Sequence, residues 1–407
     1  MDAGRTGGGE ELFALRRPAL ILGAISSVAL LAGAFADTEQ FFRSWLMAWV
    51  LLVMISVGGL AVLLIQYLTG GIWGVLMRRP AEAAASTIPI VGLGFIPVLI
   101  GMKSIYVWSH PEVLAHDALL QHKQAYLNPS FFTIRGIAFF ALWSVIAMLI
   151  VRWGRGLDER HDPWVELRLR RLSGFGLLAI GLTLTFASVD WLMSLEPHWF
   201  STMYGLSFVI GCLLSGWAVL TMVVVRLARS EPYSVVVEPT NFRDFGNLML
   251  AFVMLWAYTA FSQFLLIWYG NIREETPYYL TRMHGGWGVI AVVLLMFHFF
   301  LPFTLLLMRP IKDRPATLGT VAGLVLLMRV IDVFWIAAPA WLGGHGGEAA
   351  ASHPAVHGAP FHVSWMDPAA FIALLALWFV LFLGSLRKRA LLPLYEPHVK
   401  EALSHAG

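Results

Sequence analysis

The chain has 407 residues, is 58% hydrophobic and only 13% charged, and has a mean hydropathy of +0.72, which excludes a water-soluble globular domain and marks an integral membrane protein. Its formal net charge of +3 and pI near 9.0 come from basic residues set in short segments between apolar runs, as orientation signals are, so nucleic acid is excluded as a partner. A single cysteine, Cys212, rules out a disulfide framework, a thiolate cluster and haem attached through a C-x-x-C-H motif.

Taken in order, the opening residues MDAGRTGGGEELFALRR lack the layout of a cleaved signal, so the first apolar run is expected to stay as a membrane span. Ten runs are long enough to cross the hydrocarbon layer as helices, near 18–36, 45–68, 86–108, 131–151, 173–195, 203–225, 247–268, 286–307, 316–339 and 367–385. The fold class is therefore all-α, with both termini on one side. That side carries Arg16 and Arg17, Arg78 and Arg79, six arginines between Arg152 and Arg171, Arg226, Arg229, Arg243, Arg309, Lys312, Arg314 and the run Arg387 to Arg389. The opposite loops hold Arg43, Lys123, Arg273 and Arg282, so both termini are expected in the cytoplasm.

Two connecting segments stand apart. RWGRGLDERHDPWVELRLRR, after the fourth span, has apolar and basic residues at helical spacing and predicts a helix lying on the cytoplasmic interface. GGHGGEAAASHPAVHGAPFHVSW, after the ninth, holds His345, His353, His357 and His362 in a spacing that fits no standard metal site.

An internal similarity organises the middle of the chain. Phe131-Phe132-Thr133-Ile134-Arg135 opens span 4, and Tyr278-Tyr279-Leu280-Thr281-Arg282 opens span 8. The span after each carries an aspartate, a proline and a tryptophan in one spacing, Asp190, Pro197 and Trp199 against Asp332, Pro339 and Trp341. Leu60 to Leu63 in span 2 answers Trp217 to Leu220 in span 6. The reading is two four-helix bundles, 45–195 and 196–340, related as a parallel repeat. They are flanked by 1–44 with the first helix and by 341–407 with the tenth.

The candidate chemistry lies in the charges that the spans contain, each costing roughly 3 kcal/mol or more unless paired or hydrated. Lys103, Arg135, Asp190 and Asp332 cluster toward the outer side, Arg329 also lies inside a span, and Glu196, His198, Arg282 and His284 stand near the outer surface. Arg329 and Asp332, three apart, are placed to pair on one helix. Asp190 has no such neighbour, so Arg135 or Lys103 is its expected counter-charge, and Asp190 is favoured as the proton-exchanging group. His298, Tyr258, Thr259, Ser262 and Gln263 supply the deeper polar positions. These groups either lock helices together or form part of a proton or quinol path. Two haem-ligating histidines would need two helices, and His284 and His298 share one, so b-type haem is not expected.

The runs FASVDWLMSLEPHWFSTMYG, AFVMLWAYTAFSQFLLIWYGNIREET and HFFLPFTLLLMRPIKDR resemble the second quinone-binding-type membrane subunit of alternative complex III, a bacterial quinol:cytochrome c oxidoreductase. The resemblance runs from span 2 through span 9. It implies a polysulfide-reductase-anchor type of membrane protein in the bacterial inner membrane. The partners it implies are a sister quinol-binding membrane subunit, a large iron–sulfur protein, c-haem subunits and a terminal oxidase. No haem, iron–sulfur centre or other covalent cofactor is expected on this chain, whose implied ligand is a quinone such as menaquinone. Asp190, Glu196, His198, Arg329 and Asp332 carry over as proton-path or quinone-pocket groups, with no catalytic residue of the chain's own. A scaffold without chemistry and an independent secondary transporter are the competing classes.

Overall fold

The computed structural model describes residues 9–159, 162–342 and 361–393. Among them there is no strand, and ten helices are long and apolar enough to cross a membrane: helix 1 (Glu10–Ala36), helix 2 (Thr38–Thr69), helix 3 (Ile72–Ile100), helix 4 (Pro129–Asp158), helix 5 (Pro163–Leu195), helix 6 (Thr202–Leu227), helix 7 (Pro239–Gly270), helix 8 (Gly285–Leu307), helix 9 (Pro315–Trp341) and helix 10 (Met366–Leu386). Their starts follow the chain's capping chemistry. The Asp37 carboxylate accepts from the Gln40 amide ahead of helix 2, Asp162 accepts from the Trp164 amide ahead of helix 5, and Glu238 with Asn241 forms a capping box before Pro239.

Helix 2 is the axis of the molecule, with 94% of its apolar window buried, and helix 6 follows with 83%. They cross closely at glycine: a Cβ added to Gly58 would lie 1.9 Å from the Cys212 carbonyl oxygen. Small residues at such a crossing let the backbones meet, and dispersion between them supplies the association that hydrophobicity cannot supply in lipid. Helices 2, 3, 4 and 5 pack as one ring of neighbours and helices 6, 7, 8 and 9 as another, while helices 1 and 10 pack on each other and on helix 2.

The two rings are filled differently. In the first, Trp49, Phe95, Phe140 and Trp191, one from each helix, interlock with centroid distances from Trp49 of 5.6, 5.8 and 4.7 Å. In the second, Trp217 packs on Phe245 and Phe252 at 6.2 and 5.9 Å, and Trp287 packs on Phe334 at 5.5 Å.

Four sequence expectations are corrected. The third span runs over Ile72–Ile100 rather than 86–108. Gly70 and Gly71, at φ of 70° and 96°, turn the chain directly from helix 2 into helix 3. Arg78 and Arg79 therefore lie inside a helix, 1% and 3% exposed, and not in a loop. Their charge is absorbed locally: Arg79 binds Glu82 at 2.7 Å and Asp158 at 2.5 Å, Arg389 reaches the same Glu82 at 2.7 Å, and Arg78 meets Glu82 and the Tyr67 hydroxyl. Lys103 consequently falls beyond the span, exposed on the short helix Met102–Ile105, without an ion-pair partner among the described residues. Residues 152–171 do not form a separate interfacial helix, because helices 4 and 5 extend through 152–159 and from Pro163 onward. His345, His353 and His357 of the histidine-bearing loop lie outside the described residues, as does the tail beyond 393.

Candidate functional site

The charges favoured by sequence separate into a clasp at the start of helix 4 and the end of helix 5 and a cavity among helices 6 to 9. At the clasp, Arg135 of helix 4 donates to both carboxylate oxygens of Asp190 on helix 5, through Nε at 2.7 Å and Nη2 at 2.9 Å. Its Nη1 donates to the Tyr126 carbonyl at 3.0 Å, and the guanidinium lies 3.9 Å from the Tyr126 ring and 4.2 Å from that of Phe131. Phe131 and Arg135 are four apart on one helix, so the helix itself brings ring and cation together. The same spacing recurs in Tyr278 and Arg282, where the cation sits 3.6 Å from the ring centre. Arg282, however, pairs with Glu196 at 2.9 Å and not with Asp332. Tyr278 in turn stacks on Trp199 at 3.8 Å.

The rest of the Leu195–Phe200 segment is tied down in the same way. His198 Nε2 meets Asp117 Oδ2 at 2.6 Å, and Lys123 donates to the Pro197 carbonyl at 2.6 Å. Burial alone would raise the Asp117 carboxyl, but the Leu120 amide, the His198 imidazole and the Leu119 amide outweigh it and hold the carboxyl below its ordinary value. Burial lowers Lys123, against the pull of Asp117. Glu196 and His198 thus pin the short helices Pro277–Met283 and Ala118–Lys123 to the end of helix 5.

The second group surrounds a cavity of about 750 Å³ within the ring of helices 6 to 9, walled also by Met54 of helix 2. Its mouth lies among exposed apolar side chains of helices 7 and 8, including Met254, Phe261, Leu295 and Phe300. Arg329 and Asp332 of helix 9 line its interior as a buried ion pair, 1% and 3% exposed. Arg329 also donates to Ser215 Oγ at 3.3 Å and contacts Met54 Sδ at 3.2 Å. Toward the outer end, Gln263 donates to the Tyr279 hydroxyl at 3.3 Å. Burial, offset in part by the Gln263 bond and the Arg282 charge, pushes that phenol up to about 12. Tyr258 also lines the cavity but is 64% exposed, on the outer face of helix 7.

His298 is fully buried in a π-helical segment, Leu294–Phe300, and both of its ring nitrogens lack a hydrogen-bond partner. Its ring packs 4.0 Å from that of Trp256, a wall residue, and four of its π-segment neighbours, Leu294, Leu295, Phe299 and Phe300, also line the wall. Buried polar groups are satisfied in the great majority of cases, and π segments recur at functional sites. The structure therefore brings Arg329, Asp332, Gln263 and Tyr258 to one cavity, with His298 behind its wall. Asp190, Arg135, Glu196 and His198 belong to the clasp, and Lys103 joins neither. Sequence reasoning passed over Trp256, Ser215 and Met54, which face these charges from other helices and which no spacing signals. Neither the protein-family models nor the curated proteins contain a match to this chain.

Proposed function

We propose that this chain is a membrane subunit of a respiratory quinol:electron-carrier oxidoreductase of the alternative complex III type, and that an isoprenoid quinone enters between helices 7 and 8. The observation that carries the reading is the lipid-facing cavity of about 750 Å³ that ends on a buried Arg329–Asp332 pair. Its lining fits the ligand class: an apolar mouth for the tail, and inside it a cation to donate to a ring oxygen, a carboxylate to accept from a ring hydroxyl, and the Gln263–Tyr279 pair as further polar contacts. Asp332 would exchange the quinol proton, with Arg329 holding the carboxylate in place. On this reading both termini face the cytoplasm of a bacterial inner membrane, the two rings are the parallel repeat, and electrons leave through iron–sulfur and c-haem partner subunits.

A photoreactive azidoquinone added to the assembled complex tests the proposal, with labelled peptides mapped by mass spectrometry. Labels on 254–264 and 291–300, displaced by unlabelled quinone and lost in Ala260→Phe, which fills the cavity from helix 7, are the expected result. Labelling spread over helices 1 to 10 without displacement, or a complex that purifies without c-haem and iron–sulfur chains, would overturn it.

A scaffold role has its own support. Glu196, Pro197 and His198 hold the 117–123 and 278–282 loops together at the outer surface, where extrinsic subunits would dock. The two readings are compatible in one chain, because clasp and cavity share no ion pair.

A further inference from the structure

A second cavity, of about 550 Å³, lies at the opposite end of the molecule, between Phe13 and Arg16 of helix 1, the Arg79–Ile90 stretch of helix 3 and the ends of helices 4 and 10. Its lining is strongly basic. Arg16, Arg79, Arg155, Arg387, Lys388 and Arg389 face it, with Glu82 as the one carboxylate in the lining. Glu82 is already committed to Arg79 and Arg389 at 2.7 Å each, and Arg79 also holds Asp158 at 2.5 Å. The remaining four cations, Arg16, Arg155, Arg387 and Lys388, are exposed and make no ion pair among the described residues.

Cations gathered around one concavity repel one another until an anion joins them. The carbonyl ends of helices 4 and 10 also point here and oppose an anion, so any attraction has to come from the side chains. Position selects the anion. Helix 10 leaves the apolar layer at Leu386, one residue before Arg387, which puts the basic run at headgroup depth. Ile90 and Leu381, 48% and 38% exposed, continue the cavity wall along the lipid-facing surfaces of helices 3 and 10. A free phosphate gains nothing from that apolar flank, whereas an acyl chain covers it.

We propose that this cavity is a binding site for the phosphate headgroup of an anionic phospholipid. Arg16, Arg155, Arg387 and Lys388 donate to the phosphate oxygens, the Arg79–Glu82–Arg389 network is the rigid floor, and the acyl chains lie on Ile90 and Leu381. Such a lipid would fasten helices 1 and 10 to helices 3 and 4 on the Arg-rich face.

Native mass spectrometry of the full chain, delipidated in a neutral detergent, tests the site with phosphatidylglycerol, cardiolipin, phosphatidylcholine and inorganic phosphate as probes. The anionic lipids are expected to bind at least tenfold more tightly than phosphatidylcholine and to survive millimolar inorganic phosphate. Replacing Arg155, Arg387 and Lys388 together by Gln should weaken them about a hundredfold, at roughly fivefold per cation. The same number of charges removed elsewhere on this face, by Arg168→Gln, Arg229→Gln and Arg314→Gln, should leave binding unchanged. If the first triple variant does not fold, Arg387→Gln and Lys388→Gln alone, on exposed positions past the helix end, carry the test at fivefold each. Equal losses in both triple variants, no preference over phosphatidylcholine, or phosphate binding as tight as that of the lipid would each overturn the assignment.

Discussion

The Arg135–Asp190 pair allows a quantitative test of what compensates a carboxylate deep in the first ring of helices. Asp190 is 1% exposed, and both of its oxygens are bound by Arg135, at 2.7 and 2.9 Å. Arg135→Gln leaves a buried carboxylate without a counter-charge, which costs about 3–5 kcal/mol. Asp190→Asn is milder, because Arg135 keeps its bond to the Tyr126 carbonyl and its place against two aromatic rings, contacts worth about 0.5–2 kcal/mol. The double variant carries neither charge, and its two amides can bond across the same gap. Its cost should fall short of the sum of the single variants by about 2–3 kcal/mol. Reversible unfolding of the full chain in mixed micelles, titrated with SDS, measures all four corners of the cycle. Additivity within about 0.5 kcal/mol would refute the reasoning and leave the pair without net coupling.

The crossing of helices 2 and 6 predicts that Gly58→Ala, whose new methyl carbon meets the Cys212 carbonyl at 1.9 Å, destabilises the chain by at least about 1–3 kcal/mol in the same assay. Gly181→Ala on helix 5 is the control: nothing lies within 4 Å of its added carbon, and it should be neutral or stabilising by up to about 1 kcal/mol. At the clasp, the folded Asp117 carboxyl lies below its unfolded value, so its contribution is full above about pH 4 and is lost as pH falls through the folded pKa. His198→Ala removes one of the interactions that depress it. The acid midpoint for release of the 117–123 loop, read by spin labels on residues 119 and 200, should therefore rise toward 4; a midpoint unchanged from the parent would show that His198 contributes nothing.

Much of this architecture was legible in the sequence because a membrane helix must be both long and apolar, and ten such runs stand out. The misread third span shows where that logic fails. Arg78, Arg79 and Glu82 lower local hydropathy as a loop would, yet at spacings of three and four Glu82 pairs with both arginines on one helix, Asp158 of helix 4 supplies a second carboxylate to Arg79, and Arg389 joins Glu82 from beyond the end of helix 10. The partner of Asp190 was narrowed to two cations by depth alone, and the shift of the third helix toward the N-terminus decides between them by leaving Lys103 outside the span. The cavity was not legible. It is space left by side chains of helices 2 and 5 to 9 together, and a π segment such as Leu294–Phe300 shifts helical register without marking the hydrophobic pattern.

On the proposed quinone-pocket reading, the contrast between the two rings moves the proton-exchanging role from Asp190 to Asp332. Sequence favoured Asp190 over Asp332 because Asp190 has no arginine on its own helix. That absence is made good across helices by Arg135, and Trp191, the next residue, fills the space beside Asp190 by packing on Trp49, Phe140 and Trp143 at 4.7, 5.8 and 6.1 Å. In the register that aligns Asp190 with Asp332, the residue matching Trp191 is Val333. Beside Asp332 a cavity remains, lined by Asp332 and Arg329. A carboxylate held by two bonds and enclosed by tryptophans is suited to holding helices together; one at the end of an open, apolar passage is suited to meeting an amphiphile. Sharing a depth and a motif spacing, the two aspartates are set apart by the volume of the side chains around them.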